Sequence, residues 1–183
     1  MPLPPHLVPV FDKVTAAQAT LPPLWRAVAS VPVGGLVGVG FIGDSDHLLV
    51  LSSQGRGIFD CVSGEKIARD PKEDFEFDQY RLAAPAFDRF SGQTVQVAGI
   101  HGGGLALTTS DGWSADDWVF DWPVRIVTVS PPGHSAFFAG QGRPSDVYRV
   151  AADSEILTFG FSPSGRSFIV ATSSDLHLIA RPE

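Results

Sequence analysis

The sequence predicts an all-β fold built from repeated antiparallel meanders. Three observations predict it. Its 183 residues include 19 Gly and 15 Pro, a density of turn formers that suits many short elements and argues against a bundle of long helices. From Val33 onward, short apolar runs alternate with turn clusters. Two of the strand–turn–strand stretches also repeat at a fixed offset of 32 residues. With 44% apolar residues and 18% charged, the chain can bury a real core and is not disordered as a whole.

The first 33 residues carry seven prolines and read as a Pro-rich N-terminal arm (1–33) ahead of one β-repeat domain (34–183). Two short helices fit the arm. One spans 11–19; the other is opened by Pro23 and carries Leu24, Trp25, Ala27 and Val28, since proline is tolerated at a first helical position. Residues 36–42 form an apolar, Gly-rich strand. Its glycines suit close packing: no G-x-G-x-x-G opens a long helix and no Walker lysine is present. Gly43-Asp44-Ser45-Asp46 turns, and 48–51 is an unbroken apolar run short enough for a buried strand. After a turn at 52–57, residues 58–62 return, Ser63-Gly64 turns again, and 65–68 completes a meander of four strands.

The repeat appears in the later half. Ser130-Pro131-Pro132-Gly133 and Ser162-Pro163-Ser164-Gly165 are in register, as are Ser135/Ser167, Ala139/Ala171 and Arg149/Arg181. An apolar run follows each turn, at 136–139 and 168–171. Residues 41–51 are a third copy and 97–107 a fourth. Strand, S-P-x-G turn, apolar strand, turn, strand resembles a WD40-like β-propeller blade, and 161–176 (FSPSGRSFIVATSSDL) is the clearest match. The likeness covers roughly 36–181 in four units. The Gly-His and Trp-Asp pairs of such blades are missing, and the spacing of 32 is short against about 40–45. The resemblance implies a small propeller-like array of about four units. Residues 55–70 and 100–105 are also similar to an uncharacterised bacterial β-repeat family, which brings no catalytic residues with it.

The single cysteine, Cys61, rules out an intramolecular disulfide and a multi-Cys zinc site. There is no apolar stretch of about 20 residues and no leader pattern at the start, so a cytoplasmic protein with no membrane partner is expected. The net charge of −7 is confined to the middle third: residues 70–90 carry −3 and 91–123 carry −4, while 1–69 and 124–183 each balance. Such a field disfavours nucleic acid and speeds encounter with a basic protein.

Two acidic stretches are therefore the candidate partner-binding residues. Residues 111–122 hold Asp111, Trp113, Asp116, Asp117, Trp118, Asp121 and Trp122, three of the four tryptophans among four aspartates. Rigid indole rings are efficient binding anchors, and the acids complement a Lys- or Arg-rich surface. The plainer reading is that the tryptophans fill a core while the aspartates face water. The second stretch holds Glu73, Asp74, Glu76 and Asp78 around Phe75 and Phe77. On a strand the rings would face one side, and Asp74, Glu76 and Asp78 the other, about 6.6–7 Å apart, close to phosphate-backbone spacing. The plainer reading is an edge strand guarded by charge.

No catalytic residue, metal ligand set or cofactor is expected. His101-Gly102-Gly103-Gly104 is like an oxyanion loop, but Gly160-Phe161-Ser162-Pro163-Ser164 lacks the second glycine of a nucleophile elbow. Asp44-Ser45-Asp46-His47 opens like a calcium loop, yet its sixth and twelfth positions are Leu49 and Gly55. The expectation is a non-enzymatic protein-binding module, in its sharpest form an acidic immunity or antitoxin-type inhibitor of a basic bacterial toxin. The alternatives are a small β-scaffold hydrolase, pairing two of Asp60, Asp70, Glu73 and Asp116, or a lectin-like glycan-binding module.

Overall fold

A computed structural model describes residues 3–182; Met1, Pro2 and Glu183, which enter the counts above, lie outside the described residues. The chain is mostly β and antiparallel. In order come α1 (Val8–Thr15), β1 (Arg26–Pro32), β2 (Leu36–Phe41), β3 (His47–Ser52), β4 (Gly55–Asp60), β5 (Lys66–Asp70), β6 (Ala83–Pro85), β7 (Thr94–Gln96), β8 (Ala98–Gly99), β9 (Ser114–Asp121), β10 (Val124–Ser130), β11 (Tyr148–Asp153), β12 (Ile156–Phe161), β13 (Ser167–Thr172) and β14 (Asp175–Ala180). They fall into two units. The smaller takes residues up to Leu24 and Leu107–Ser154; the larger takes Trp25–Ala106 and the residues from Glu155 on.

In the larger unit, one sheet has the order β5-β4-β3-β2-β8 and a second the order β1-β14-β13-β12. The expected four-strand meander is therefore present as β2–β5, and the 161–176 repeat as β12–β14. Alternation assigns the faces. Leu48 and Val50 join Val39 and Phe59, and meet Ile169, Ala171, Leu176 and Leu178 of the second sheet in one core. Leu49 and Leu51 turn the other way, into a core with Ile58, Val95 and Val97. β3 is thus buried on both faces, which is why its apolar run is unbroken. At Gly40 a Cβ would come within 2.0 Å of the Gln96 carbonyl, so only glycine lets β2 lie that close to β7.

The turn before β3, in the third copy of the repeat, is tied to the turn before β13. The Asp46 carboxylate, in the turn before β3, accepts hydrogen bonds from the Ser164 hydroxyl at 2.8 Å and the fully buried Ser167 hydroxyl at 2.7 Å, both at the turn before β13. Ser45 shapes its own turn by donating to the Ile42 carbonyl at 2.6 Å.

Three local expectations are corrected. The second helix, opened by Pro23, does not form. Leu24 turns the chain with φ of 75°, and residues 26–32 become β1, pairing Arg26 with Ala180 through Pro32 with Asp175. The free edge of β14 and the β-branched Val28 and Val31 outweigh local helix preference. The first helix starts and ends earlier than 11–19, at Val8–Thr15. In the smaller unit, residues 136–138 form a 3-10 turn in place of a strand: Ser135 Oγ accepts from the Phe137 N–H, and Ala136 is fully buried. Packing of this segment against α1 replaces a ladder, and β11 pairs with β10 only after a long connection.

Removing the Asp46 carboxylate would leave Ser167 buried without its acceptor. Asp46→Ala should cost about 2–3 kcal/mol, read as a lower urea midpoint at unchanged slope.

Candidate partner-binding surface

The 111–122 stretch contains all of β9 and the first residue of the turn into β10. β9 and β10 pair from Ser114 opposite Ser130 to Asp121 opposite Val124, with a bulge before the tip. Asp116, Trp118, Ile126 and Thr128 share a face, because Asp116 stands opposite Thr128 and Trp118 opposite Ile126. Trp118 enters the core with Val10, Val14, Ala136 and Val147, and its indole N–H donates to Thr128 Oγ1 at 2.9 Å. Phe120 stacks on it at 6.0 Å and meets Phe11 edge-on at 4.9 Å. The stem is thereby fixed.

The three tryptophans part company here. Trp113 is 7% exposed, its backbone N–H donating to Thr109 Oγ1; Trp118 is 9% exposed; Trp122 is 81% exposed, at the tip of the hairpin in a two-residue turn with Pro123. The Trp122–Pro123 peptide is cis. Val119 and Val124 add exposed apolar surface beside it. Asp121 is exposed, and among the described residues it has no ion-pair partner. Asp117 is engaged by Arg125, whose Nη2 lies 2.6 Å from its Oδ2. Asp111 accepts from Thr109 Oγ1 at 2.6 Å. Asp116 is half-buried; burial first, and then the Asp117 carboxylate, push its pKa above the usual range.

The other acidic stretch is not a strand, which corrects that expectation. Only Asp78 has a bridge, to Ala83, because residues 73–77 have no neighbouring strand to pair with. The in–out alternation survives without it: Phe75 and Phe77 pack on the core, while Glu73, Asp74 and Glu76 are exposed. Asp78 serves its own turn, accepting from the Tyr80 and Arg81 N–H groups at 3.0 and 2.9 Å. The two stretches belong to different units.

Two of the four carboxylates weighed for hydrolysis, Asp60 and Asp70, have structural partners. Asp60 accepts from the Val62 and Ser63 N–H groups. Asp70 accepts from the Lys72 N–H and pairs with Arg56 at 3.0 Å; these contacts hold its carboxyl below the usual range, Lys72 foremost. Gly102 and Gly103 take positive φ in a tight turn. Ser162 lies in the turn before β13, its Oγ accepting from the Ser167 N–H at 3.1 Å. Cys61 is buried, and burial, followed by the Asp46 and Asp60 charges, drives its thiol pKa far upward. Among the described residues no three His, Cys, Asp or Glu side chains converge on a metal-sized site, and no helix is long and apolar enough to cross a membrane. Sequence reasoning missed a cavity between the end of β1 and β3–β5, lined by Lys66 and Arg69. Its sequence signal, two bases three apart, looks like an ordinary solvated strand.

Against family models, curated proteins and solved structures, the chain has no match.

Burial sets the mutational contrast. Trp118→Ala should cost about 3–5 kcal/mol, while Trp122→Ala should change stability by less than about 0.5 kcal/mol, both by urea denaturation. Asp116 holds a proton more tightly folded than unfolded. Its ionised form therefore weakens the fold above the folded pKa, and that penalty fades as pH falls through it. Asp116→Asn should raise the urea midpoint at neutral pH, with the gain shrinking in acid; a gain equal at every pH would assign it to another cause.

Proposed function

We propose that this chain is a non-enzymatic protein-binding module that presents the β9–β10 tip to a basic partner, acting as an immunity or antitoxin-type inhibitor in the cytoplasm. One observation carries the reading: Trp122, 81% exposed, stands on a stem fixed by the buried Trp118, beside an unpaired Asp121. A rigid aromatic anchor bears little ordering cost on binding, and neighbouring carboxylates select Lys- or Arg-rich surfaces. The exposed Glu73, Asp74 and Glu76 add to the acidic field of the other unit. The scaffold reads as a small propeller-like array. Two features support it: β2–β5 is a four-stranded antiparallel meander, and β12–β14 with β1 added at its edge is a four-stranded antiparallel sheet, the size of a propeller blade.

A second reading, glycan binding, draws on the same ring, since an exposed indole can stack on a sugar. The two differ in their need for charge. Affinity capture with the tagged chain from its native cell extract should recover one stoichiometric basic protein. Trp122→Ala and Asp121→Lys should each weaken that capture by at least about tenfold. Retention of glycans by wild type, lost in Trp122→Ala but kept in Asp121→Lys, would favour the lectin-like reading. No specific partner for the wild type would sink the inhibitor reading.

A further inference from the structure

In the larger unit, a cavity of about 310 Å³ lies between the end of β1 and the face of β3–β5 that carries Val50 and Phe59. Directly opposed residues in adjacent strands share a face. Leu48 stands opposite Phe59 and Phe59 opposite Lys66; Val50 stands opposite Gly57 and Gly57 opposite Arg69. In a regular strand, Lys66 and Arg69, three residues apart, would point to opposite faces. The register shift between Ile58 and Phe59 leaves one extra residue in β5 and rephases it, so both cations reach the cavity face. Gly57 has no side chain there, and the Phe59 ring leans over it, 3.3 Å from where a Cβ would stand. Across the opening, a Cβ on Gly34 would meet nothing within 4 Å.

The rim is cationic although the chain carries −7. Lys66 Nζ sits 5.4 Å from the centre of the Phe59 ring, and among the described residues no carboxylate pairs with it. The Arg69 guanidinium donates to the backbone carbonyls of Gln54, Arg56 and Asp70, which hold it in place without neutralising it. No acid lines the cavity, and its volume is at the lower end of small-molecule sites, about 300–1,000 Å³.

We propose that this cavity binds a small molecule joining a flat apolar body to an anionic head. The body lies against Val31, Val33 and the edges of Val50 and Phe59, and the head is taken by Lys66 and Arg69. A carboxylate and a phosphate share the needed chemistry. The site lies in a different unit from the β9–β10 hairpin and stands independently of the partner reading.

The test is an amide-resolved NMR titration of the full chain with 1-naphthoate, 1-naphthyl phosphate and neutral 1-naphthalenemethanol. Saturable shifts at Gly34 and Gly57 are expected with at least one anion, and at least about tenfold weaker binding of the alcohol. The tighter anion names the head group. Lys66→Glu should weaken anion binding by at least about tenfold, while Lys66→Arg should retain it. Lys66→Met, which keeps the apolar stem, gives the same reading if the charge reversal disturbs the amide spectrum as a whole. Absence of saturable shifts, equal affinity for the alcohol, or unchanged affinity in the Lys66→Glu and Lys66→Met variants overturns the proposal.

Discussion

The two largest sheets of the larger unit each have an apolar face that the other covers. Val39, Leu48, Val50 and Phe59 on one side, and Ile169, Ala171, Leu176 and Leu178 on the other, leave water only when the sheets meet. Much else follows from that contact. The turns before β3 and β13 must lie close enough for Asp46 to reach two serines, and because β6 and β7 cover the opposite face of the first sheet, β3 is apolar on both faces and β2 carries glycine where β7 crosses it. The contact also couples distant parts of the chain. β1, at 26–32, is the fourth strand of a sheet whose other strands run from 156 to 180, so this sheet is complete only when almost the whole chain has been gathered. Such non-local pairing is slow to form because loop closure precedes the contacts that reward it.

The smaller unit divides stability and recognition along one hairpin. Its stem is held from within by Trp118, the indole bond to Thr128 and the rings of Phe11 and Phe120. Its tip has no such contacts to spend on stability, and this leaves Trp122, Val119 and Val124 in water. A bulge separates the two regimes. It re-aims the residues nearest the tip, a common use of bulges beside functional surfaces. The bulge in β5 has a comparable effect in the other unit, where it brings two bases to a face that alternation would deny one of them.

Much of the architecture was legible in the chain. The all-β class, the β2–β5 meander and the β12–β14 repeat follow from short apolar runs set between Gly, Pro and Ser turns. The tertiary structure decided what no local pattern holds. Residues 23–28 satisfy helix-start rules, yet Arg26–Pro32 is a strand because β14 offers an unpaired edge. Residues 73–78 alternate like a strand, yet have no partner to pair with beyond one bridge. The three tryptophans of 111–122 have like side chains and nearly like neighbours, but only the fold assigns two to the interior and one to the tip. The cavity was invisible for the same reason. Its floor depends on a missing side chain at Gly57, its charge on a register shift, and its far wall on the end of β1. Sequence by itself therefore determined periodicity, turns and the sign of the charge, which are local or summed properties. Pairing partners, faces after a bulge, and which aromatic rings remain in water were settled by contacts between residues far apart in the chain.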